Sequence, residues 1–373
     1  MEDVKRWRRD LHQIPELGLK EYQTAEYLRH ELEQMGYHWE SIIETGTLVY
    51  IDYGCQSTLA FRSDIDGLPI HEKNQVDYVS KHPGCMHACG HDGHMSALLG
   101  FAKRLKEIKE PLNYNILLLF QPAEESPGAA RLVVESGVLE KYHVKAIFGM
   151  HLMPMIEEGK IACKSGPLMA MCGEMDVTIH GQGAHAGLPQ EGIDSIMIAN
   201  HAYMQYQTMI SRHISPFSPV IFNIGEIHGG TARNSVATQT CMHGTLRCYD
   251  ESLFHKMTQE IQAIHDGLMK SYNCQIEWSC PPMYPPVMNH QSLYQQLKAC
   301  VDPSTYIELD EPLMLAEDFA FYQKAIPGVF FFVGTKCQEY QSGLHTETFN
   351  FHEEVLETAV DLYEKLARNI KGV

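Results

Sequence analysis

Residues 84–100 read GCMHACGHDGHMSALLG. Cys85, His87, Cys89, His91 and His94 stand here in ten positions, with Asp92 among them, and apolar residues at helical spacing follow. Soft and borderline donors at that density point to a metal. The stretch lies between a strand-like run and a helix. In an open α/β sheet such a junction, at the carboxyl end of a strand, is where sites gather. Whether the metal is structural or catalytic is left to the rest of the chain.

Outward from this stretch, the runs TLVYIDYG, STLAFRSD, YNILLLF, KAIFGMHL and GVFFFVGT read as strands. The last three are continuous apolar runs, as strands buried on both faces are. EYQTAEYLRHELEQMGY presents Tyr22, Ala25, Leu28, Leu32 and Met35 on one face of a helix, HMSALLGFAKRLKEIKE is a second helix, and EEVLETAVDLYEKLARNI closes the chain as another. Strands alternating with helices predict an α/β fold with a mostly parallel sheet. Between residues 172 and 284 the order changes to β-α-β-β-α-β, the split βαβ pattern of an α+β, ferredoxin-like domain. The expected organisation is a catalytic domain of residues 1–171 and 285–373 with an inserted domain of residues 172–284. Pro-rich PPMYPP, residues 281–286, reads as a stiff boundary linker.

The chain has 373 residues, enough for two domains, and a formal net charge of −18. That acidity argues against nucleic acid and against an anionic membrane surface. No apolar run is long enough to span a bilayer, and the charged first residues do not form a secretory signal. Eleven cysteines, scattered and odd in number, predict a reduced, cytoplasmic protein rather than a disulfide framework.

Candidate ligands recur where the strands end. LAFRSDID ends in Asp64 and Asp66, ILLLFQPAEE in Glu124 and Glu125, AIFGMH in His151, and SGLHTE follows the last strand with His345. With the Cys/His stretch, five segments bring ligand-type residues to one sheet edge. Each has a bland reading alone: a lone His as a satisfied polar residue, a Glu pair as a solvated face, Cys85 and Cys89 as half of a structural zinc knuckle. A knuckle needs a second ligand pair, and no second Cys pair at that spacing occurs. A structural site also has no use for a spare carboxylate. A hydrolytic site does, since one Glu can bind metal while its neighbour moves the proton. GQGAHAG is one position out of register for a dinucleotide fingerprint and opens no helix directly. G-x-S-x-G is absent.

The motifs RRDLHQIPELGLKE, FRSDIDGLPI, HACGHDGH, QPAEE, GMHL, GQGAHAGLPQEGID, AEDFAFY and LHTETFNF occur in that order along nearly the whole chain. The set resembles the metal-dependent aminoacylase and carboxypeptidase family. The nearest branch is that of hippurate hydrolase, plant auxin-conjugate amidohydrolases and bacterial N-acetyldiaminopimelate deacetylase. RRDLHQIPELGLKE looks most like the last. The resemblance implies one or two divalent metals (zinc, manganese or cobalt), a lid domain that mediates dimerisation, and a homodimer. It implies Cys89, His91, Glu125, His151 and His345 as ligands, Glu124 as general base and Asp66 as the carboxylate that orients a ligand. Asp64 occupies a position that is a ligating His in more distant relatives. It further implies His185 as a residue reaching the partner subunit's site, and Asn234 and Arg247 as holders of the substrate carboxylate; a substrate with two carboxylates and a free amine suits such a lid, with acidic groups such as Asp250 nearby. Two departures are visible: TARNSVA lacks the isoleucine-proline that often follows the asparagine, and His352 in FHEE replaces a common aspartate.

The leading expectation is an amidohydrolase acting on an N-acyl amino acid, N-acetyl-LL-diaminopimelate above others, in lysine biosynthesis. A broad hippurate-type hydrolase and a dipeptidase or carboxypeptidase are the alternatives on the same machinery. A non-catalytic metal-binding protein is the distant one, disfavoured because Glu124 and every ligand candidate are present.

Overall fold

The computed structural model describes residues 1–373, and they divide into two compact units. The larger comprises Met1–Leu168, Val287–Pro312 and Asp318–Val373; the smaller comprises Met169–Pro286 and Leu313–Glu317.

The larger unit is built on an eight-stranded sheet. Its order is Glu40–Ile42, Gly46–Ile51, Asn115–Gln121, Thr58–Asp64, Val144–Glu157, Gly328–Lys336, Ile161–Cys163 and Tyr306–Glu308. The four central strands, from Asn115–Gln121 to Gly328–Lys336, are mutually parallel. The outer pairings include antiparallel ones. Thr58–Asp64 and Asn115–Gln121 are buried at every residue. That is the consequence of helices on both faces and the reason these segments read as unbroken apolar runs. Phe61 stacks on Phe148 and packs edge-on against Tyr363 of the closing helix Val355–Asn369. The helix His91–Leu105 lies in this core, and residues 91–102 are all buried. Gly93 allows the approach: a Cβ there would meet Leu152 at 2.7 Å and Phe351 at 2.8 Å.

Three details depart from the sequence reading. The metal-candidate helix begins at His91, not His94. Tyr22, assigned to the buried face of its helix, is exposed, whereas Ala25, Leu28 and Leu32 are buried. It is the first residue of Tyr22–Gln34, where the helix has not yet reached the core. The Pro-rich junction also holds a short strand, Pro282–Tyr284, and another, Val287–Asn289, follows it.

The smaller unit runs Met171–His180, Ser195–His213, Val220–Gly229, Gln239–Cys248, Glu251–Tyr272, Gln275–Ser279, in the order β-α-β-β-α-β. Its antiparallel sheet has the order Gln275–Ser279, Met171–His180, Gln239–Cys248, Val220–Gly229. Both helices start on aspartate caps. Asp194 accepts the N–H groups of Ile196 and Met197, and Asp250 those of Ser252 and Leu253. Asp250 is therefore committed to a helix N-terminus, where its charge meets the positive end of the helix. No helix of the chain is long and apolar enough to cross a membrane.

Candidate metal centre

Each candidate is delivered by a strand end or a helix start of the larger unit. Gly90 adopts a left-handed conformation, φ +85°, which lets the chain reverse between Cys89 in the loop and His91 at the head of its helix. Glu124 and Glu125 follow the strand Asn115–Gln121 through Ala123, a non-glycine residue at φ 52°. His345 itself has φ 59°. Such conformations cost roughly 1–3 kcal/mol each and persist where the surroundings impose them. Here Glu21 is that constraint at the first turn: its carboxylate accepts the Ala123 N–H at 2.8 Å and the Thr45 hydroxyl at 2.7 Å. At the second, the His345 N–H donates to Ala88 O at 2.9 Å, which ties the loop to the residue before Cys89.

The five ligand candidates converge. Cys89 Sγ lies 3.3 Å from His151 Nε2 and 3.2 Å from His345 Nε2. Glu125 Oε1 is 3.0 Å from His345 Nε2. Cys89, His91 and His151 form one set of donors within 4.8 Å of one another, Cys89, Glu125 and His345 a second, and His91, Glu124 and Glu125 a third. The sulfur thus belongs to two sets and Glu125 to two.

The groups behind the donors are arranged as a metal requires. His91 Nδ1 faces the Asp66 backbone carbonyl at 2.9 Å and its carboxylate at 3.2 Å, while His91 Nε2 is buried with no hydrogen-bond partner. His151 Nδ1 donates to Leu152 O at 2.6 Å, leaving Nε2 toward the sulfur. A ring nitrogen fixed from behind and a bare nitrogen in front is the usual arrangement of a ligating imidazole. Asp66 also accepts the Glu125 N–H, at 3.0 Å. Asp64 is held by Arg62 at 2.9 Å and His94 at 2.7 Å, with Oδ2 still 3.8 Å from His91 Nε2.

Electrostatics follow from that packing. Burial pushes the Cys89 thiol well above its ordinary range, and the charges of Glu125, Glu124 and Asp64 add to it. Burial opposes a charged His91, but Asp64 and Asp66 outweigh it and raise the ring to about 10. Burial holds His151 neutral, far below its ordinary value. Without metal the cluster carries protons on Cys89 and His91; a cation held there would take their place, so binding would release protons. One thiolate, three imidazoles and carboxylates fit a borderline metal such as zinc, manganese or cobalt better than magnesium.

His94 lies outside the five ligand candidates and supports them. It donates to Asp64 and its Nε2 accepts the Leu152 N–H at 3.0 Å, which fixes the residue after His151. A deeper network of buried charges lies behind these residues. Asp92 Oδ2 accepts from Arg8 Nε at 2.9 Å and His12 Nδ1 at 2.7 Å, and His12 Nε2 meets Glu72 at 3.0 Å. The only sequence signal for it was the presence of Arg8 and His12 in the motif RRDLHQIPELGLKE.

In the smaller unit, His185 and Asn234 are exposed and lie on adjoining loops. The Ala186 N–H donates to Asn234 O at 3.0 Å, and His185 bridges to Ser235. Arg247 sits near the far end of the strand Gln239–Cys248, where its guanidinium donates to Met314 O at 2.6 Å. Eight residues of strand separate it from Gln239, roughly 27 Å at the usual rise. The structure does not bring Arg247 and Asn234 together within one chain.

A cluster of sulfur, imidazole and carboxylate donors at the carboxyl edge of a parallel sheet, buried except at Glu125 and His345, with a second carboxylate beside a ligand candidate, defines a metal-dependent hydrolase. The profile of Peptidase family M20/M25/M40 matches residues 60–369, and the chain belongs to that family. It is 36% identical over 375 residues to an N-acetyldiaminopimelate deacetylase of Exiguobacterium sibiricum, covering 99% of each chain. It is 36% identical to the IAA-amino acid hydrolase ILR1-like 4 of Arabidopsis thaliana, over 96% of this chain and 84% of that one. A dinuclear metal-binding peptidase of the M20 family from Bacillus subtilis superposes with a TM-score of 0.84, at 31% identity and over 98% of this chain and 96% of that one.

Proposed function

We propose that the protein removes the acyl group of an N-acyl amino acid, with N-acetyl-LL-diaminopimelate as its substrate. The products are LL-diaminopimelate and acetate, and the step serves lysine biosynthesis in the cytoplasm. The observation that carries the chemistry is the carboxylate pair: Glu125 faces His345, while Glu124 is buried beside it in reach of His91. Cys89, His91, Glu125, His151 and His345 would hold one or two divalent ions, with Asp66 orienting His91. When bound, the metal polarises the scissile carbonyl and acidifies the attacking water. Glu124 takes the water proton as oxygen adds to the acyl carbon, and returns it to nitrogen as the C–N bond breaks.

Catalysis is proposed to need a homodimer. His185 and Asn234 share one end of the smaller sheet and Arg247 lies toward the other, so one chain cannot gather all three around a ligand. In the proposal Arg247 pairs the substrate carboxylate, and the partner subunit's His185 and the partner subunit's Asn234 complete the site. The edge strand Val220–Gly229 suits such pairing, with Ile221 and Ile227 exposed and no neighbour on its outer side.

The substrate assignment is supported by the deacetylase relative and by the motif RRDLHQIPELGLKE. The plant relative, at the same identity, supports a second reading, a broader N-acyl-amino-acid hydrolase. The test is a panel of N-acyl amino acids with added manganese, zinc or cobalt. N-acetyl-LL-diaminopimelate should exceed N-acetylmethionine and hippurate in kcat/KM by at least about tenfold, about 1.4 kcal/mol of transition-state preference. Preference for hippurate moves the protein to the broader reading. Full activity in demonstrably metal-free protein refutes the metal mechanism.

A further inference from the structure

A second group of metal-type donors lies elsewhere in the larger unit. Glu158, Cys337 and His352 place a carboxylate oxygen, a sulfur and a ring nitrogen within 4.8 Å of one another. Glu158 follows the strand Val144–Glu157, Cys337 follows the neighbouring strand Gly328–Lys336, and His352 precedes the closing helix. Glu158 stands seven residues beyond His151 along one extended segment, roughly 23 Å from it at the usual rise. The two clusters are therefore separate.

We propose that Glu158, Cys337 and His352 form a peripheral site for a borderline divalent cation, zinc in the first instance. A tetrahedral ion with bonds of about 2.0–2.3 Å holds its donors roughly 3.6 Å apart, and the three donors need only small side-chain adjustments to meet that. His352 is already in the posture of a ligand. Its Nδ1 meets Glu158 at 2.6 Å and its Nε2 meets Glu339 at 3.1 Å. With the ion between Nδ1, Glu158 and Cys337, Glu339 becomes the carboxylate that holds the other ring nitrogen, as ligating imidazoles require. Tyr340 packs edge-on against the ring at 5.0 Å, and its N–H donates to Cys337 Sγ at 3.3 Å, so sulfur and imidazole are oriented by one residue. All three donors are partly exposed, and a cavity of about 480 Å³ opens on Glu158 and His352, which gives the ion a path in. Without a cation the cluster sets two carboxylates and a thiol around one imidazole, and burden of charge balance falls on the His352 proton. The ion replaces that proton. It also ties together the two ends of the loop 337–352, whose middle carries His345.

The proposal is independent of the hydrolase reading, and its test keeps the two apart. Zinc content is measured after equilibrium dialysis of the full chain and of Cys337→Ala and His352→Ala. Each variant should hold one ion per chain fewer than wild type. Cobalt absorption then separates the sulfurs. Cys89→Ser should retain a sulfur-to-cobalt charge-transfer band, and Cys89→Ser/Cys337→Ala should lack it. Zinc should raise the melting midpoint of Cys89→Ser by more than that of the double variant. Equal zinc content in wild type and Cys337→Ala overturns the proposal. So does a folded Cys89→Ser protein with no cobalt–sulfur band.

Discussion

Asp92 offers a direct test of what holds the metal loop in place. It adjoins His91, and its Oδ2 accepts from both Arg8 and His12. Arg8 is essentially inaccessible, and its other partners are Asn350 at 2.8 Å and Glu353 at 3.5 Å. Asp92→Asn keeps the shape and an acceptor oxygen but removes the charge. Breaking a buried ion pair from one side costs about 3–5 kcal/mol, because the remaining charge is left uncompensated. His12 offsets part of this. Burial opposes its charged form, but Asp92 and Glu72 hold its pKa above the ordinary value, so without the Asp92 charge it can shed its proton. The expected cost is therefore at the low end, about 3 kcal/mol. At about 2–4 °C per kcal/mol for a domain of this size, the melting midpoint should fall by about 6–12 °C. Calorimetry of metal-stripped wild type and variant reads this without any contribution from bound ion. Metal affinity measured separately should also drop, since His91 is the next residue. A midpoint within about 2 °C of wild type would show that Arg8 and His12 do not depend on this carboxylate, and the argument would fail.

Glu124→Gln should retain metal yet lose roughly 10²-fold or more in kcat, the size of a lost general base, whereas Glu125→Gln should lose metal; metal contents in the reverse order would exchange the two roles. Mixing inactive His185→Ala with inactive Glu124→Gln should restore partial activity through shared sites, and no recovery after verified subunit exchange would count against the partner subunit's His185. In the smaller unit, His265 is buried and accepts the Tyr206 hydroxyl at 2.5 Å; burial lowers its pKa from 6.5 to about 4. The unfolded chain therefore binds the proton first, and stability that is complete above pH 6.5 is lost as pH falls toward 4, by roughly 3 kcal/mol in full. Urea unfolding of His265→Gln should show a correspondingly shallower loss between pH 7 and pH 4.5, and an unchanged slope would assign the acid sensitivity to other groups.

The parallel strands were legible because burial on both faces leaves an unambiguous mark. Nothing polar interrupts the interior of ILLLF or VFFFV, so composition alone identifies them. The small unit's β-α-β-β-α-β order was legible from the switch between two-residue and helical periodicities. Helix starts were less so. His91–Leu105 begins at a histidine that looks like a loop ligand, and its Gly90 junction has no side-chain cap to announce it. The segment Leu313–Glu317 pairs with the smaller unit through Met169 and Ala170. Nothing in its composition says so, since three hydrogen-bonded residues leave no period to read.

The site divides in the same way, and for a physical reason. Metal donors must be particular residue types, so candidates could be marked at the strand ends, and the resemblance narrowed them to Cys89, His91, Glu125, His151 and His345. The groups that make them donors act through pairing, which a single chain of letters does not display. Arg8 and Asp92 are 84 positions apart, and Arg62 and Asp318 are 256 apart. Each of these residues alone reads as an ordinary surface charge, yet all four are buried. Asp64 shows the consequence. By type and position it is as good a ligand candidate as Asp66. Arg62 at its own strand's edge and His94 one helical turn past His91 take up its oxygens, and Asp66 is left facing His91. Which carboxylate faces His91 Nδ1 is thus set by an arginine two residues away, whose own second anchor, Asp318, lies 256 positions along the chain.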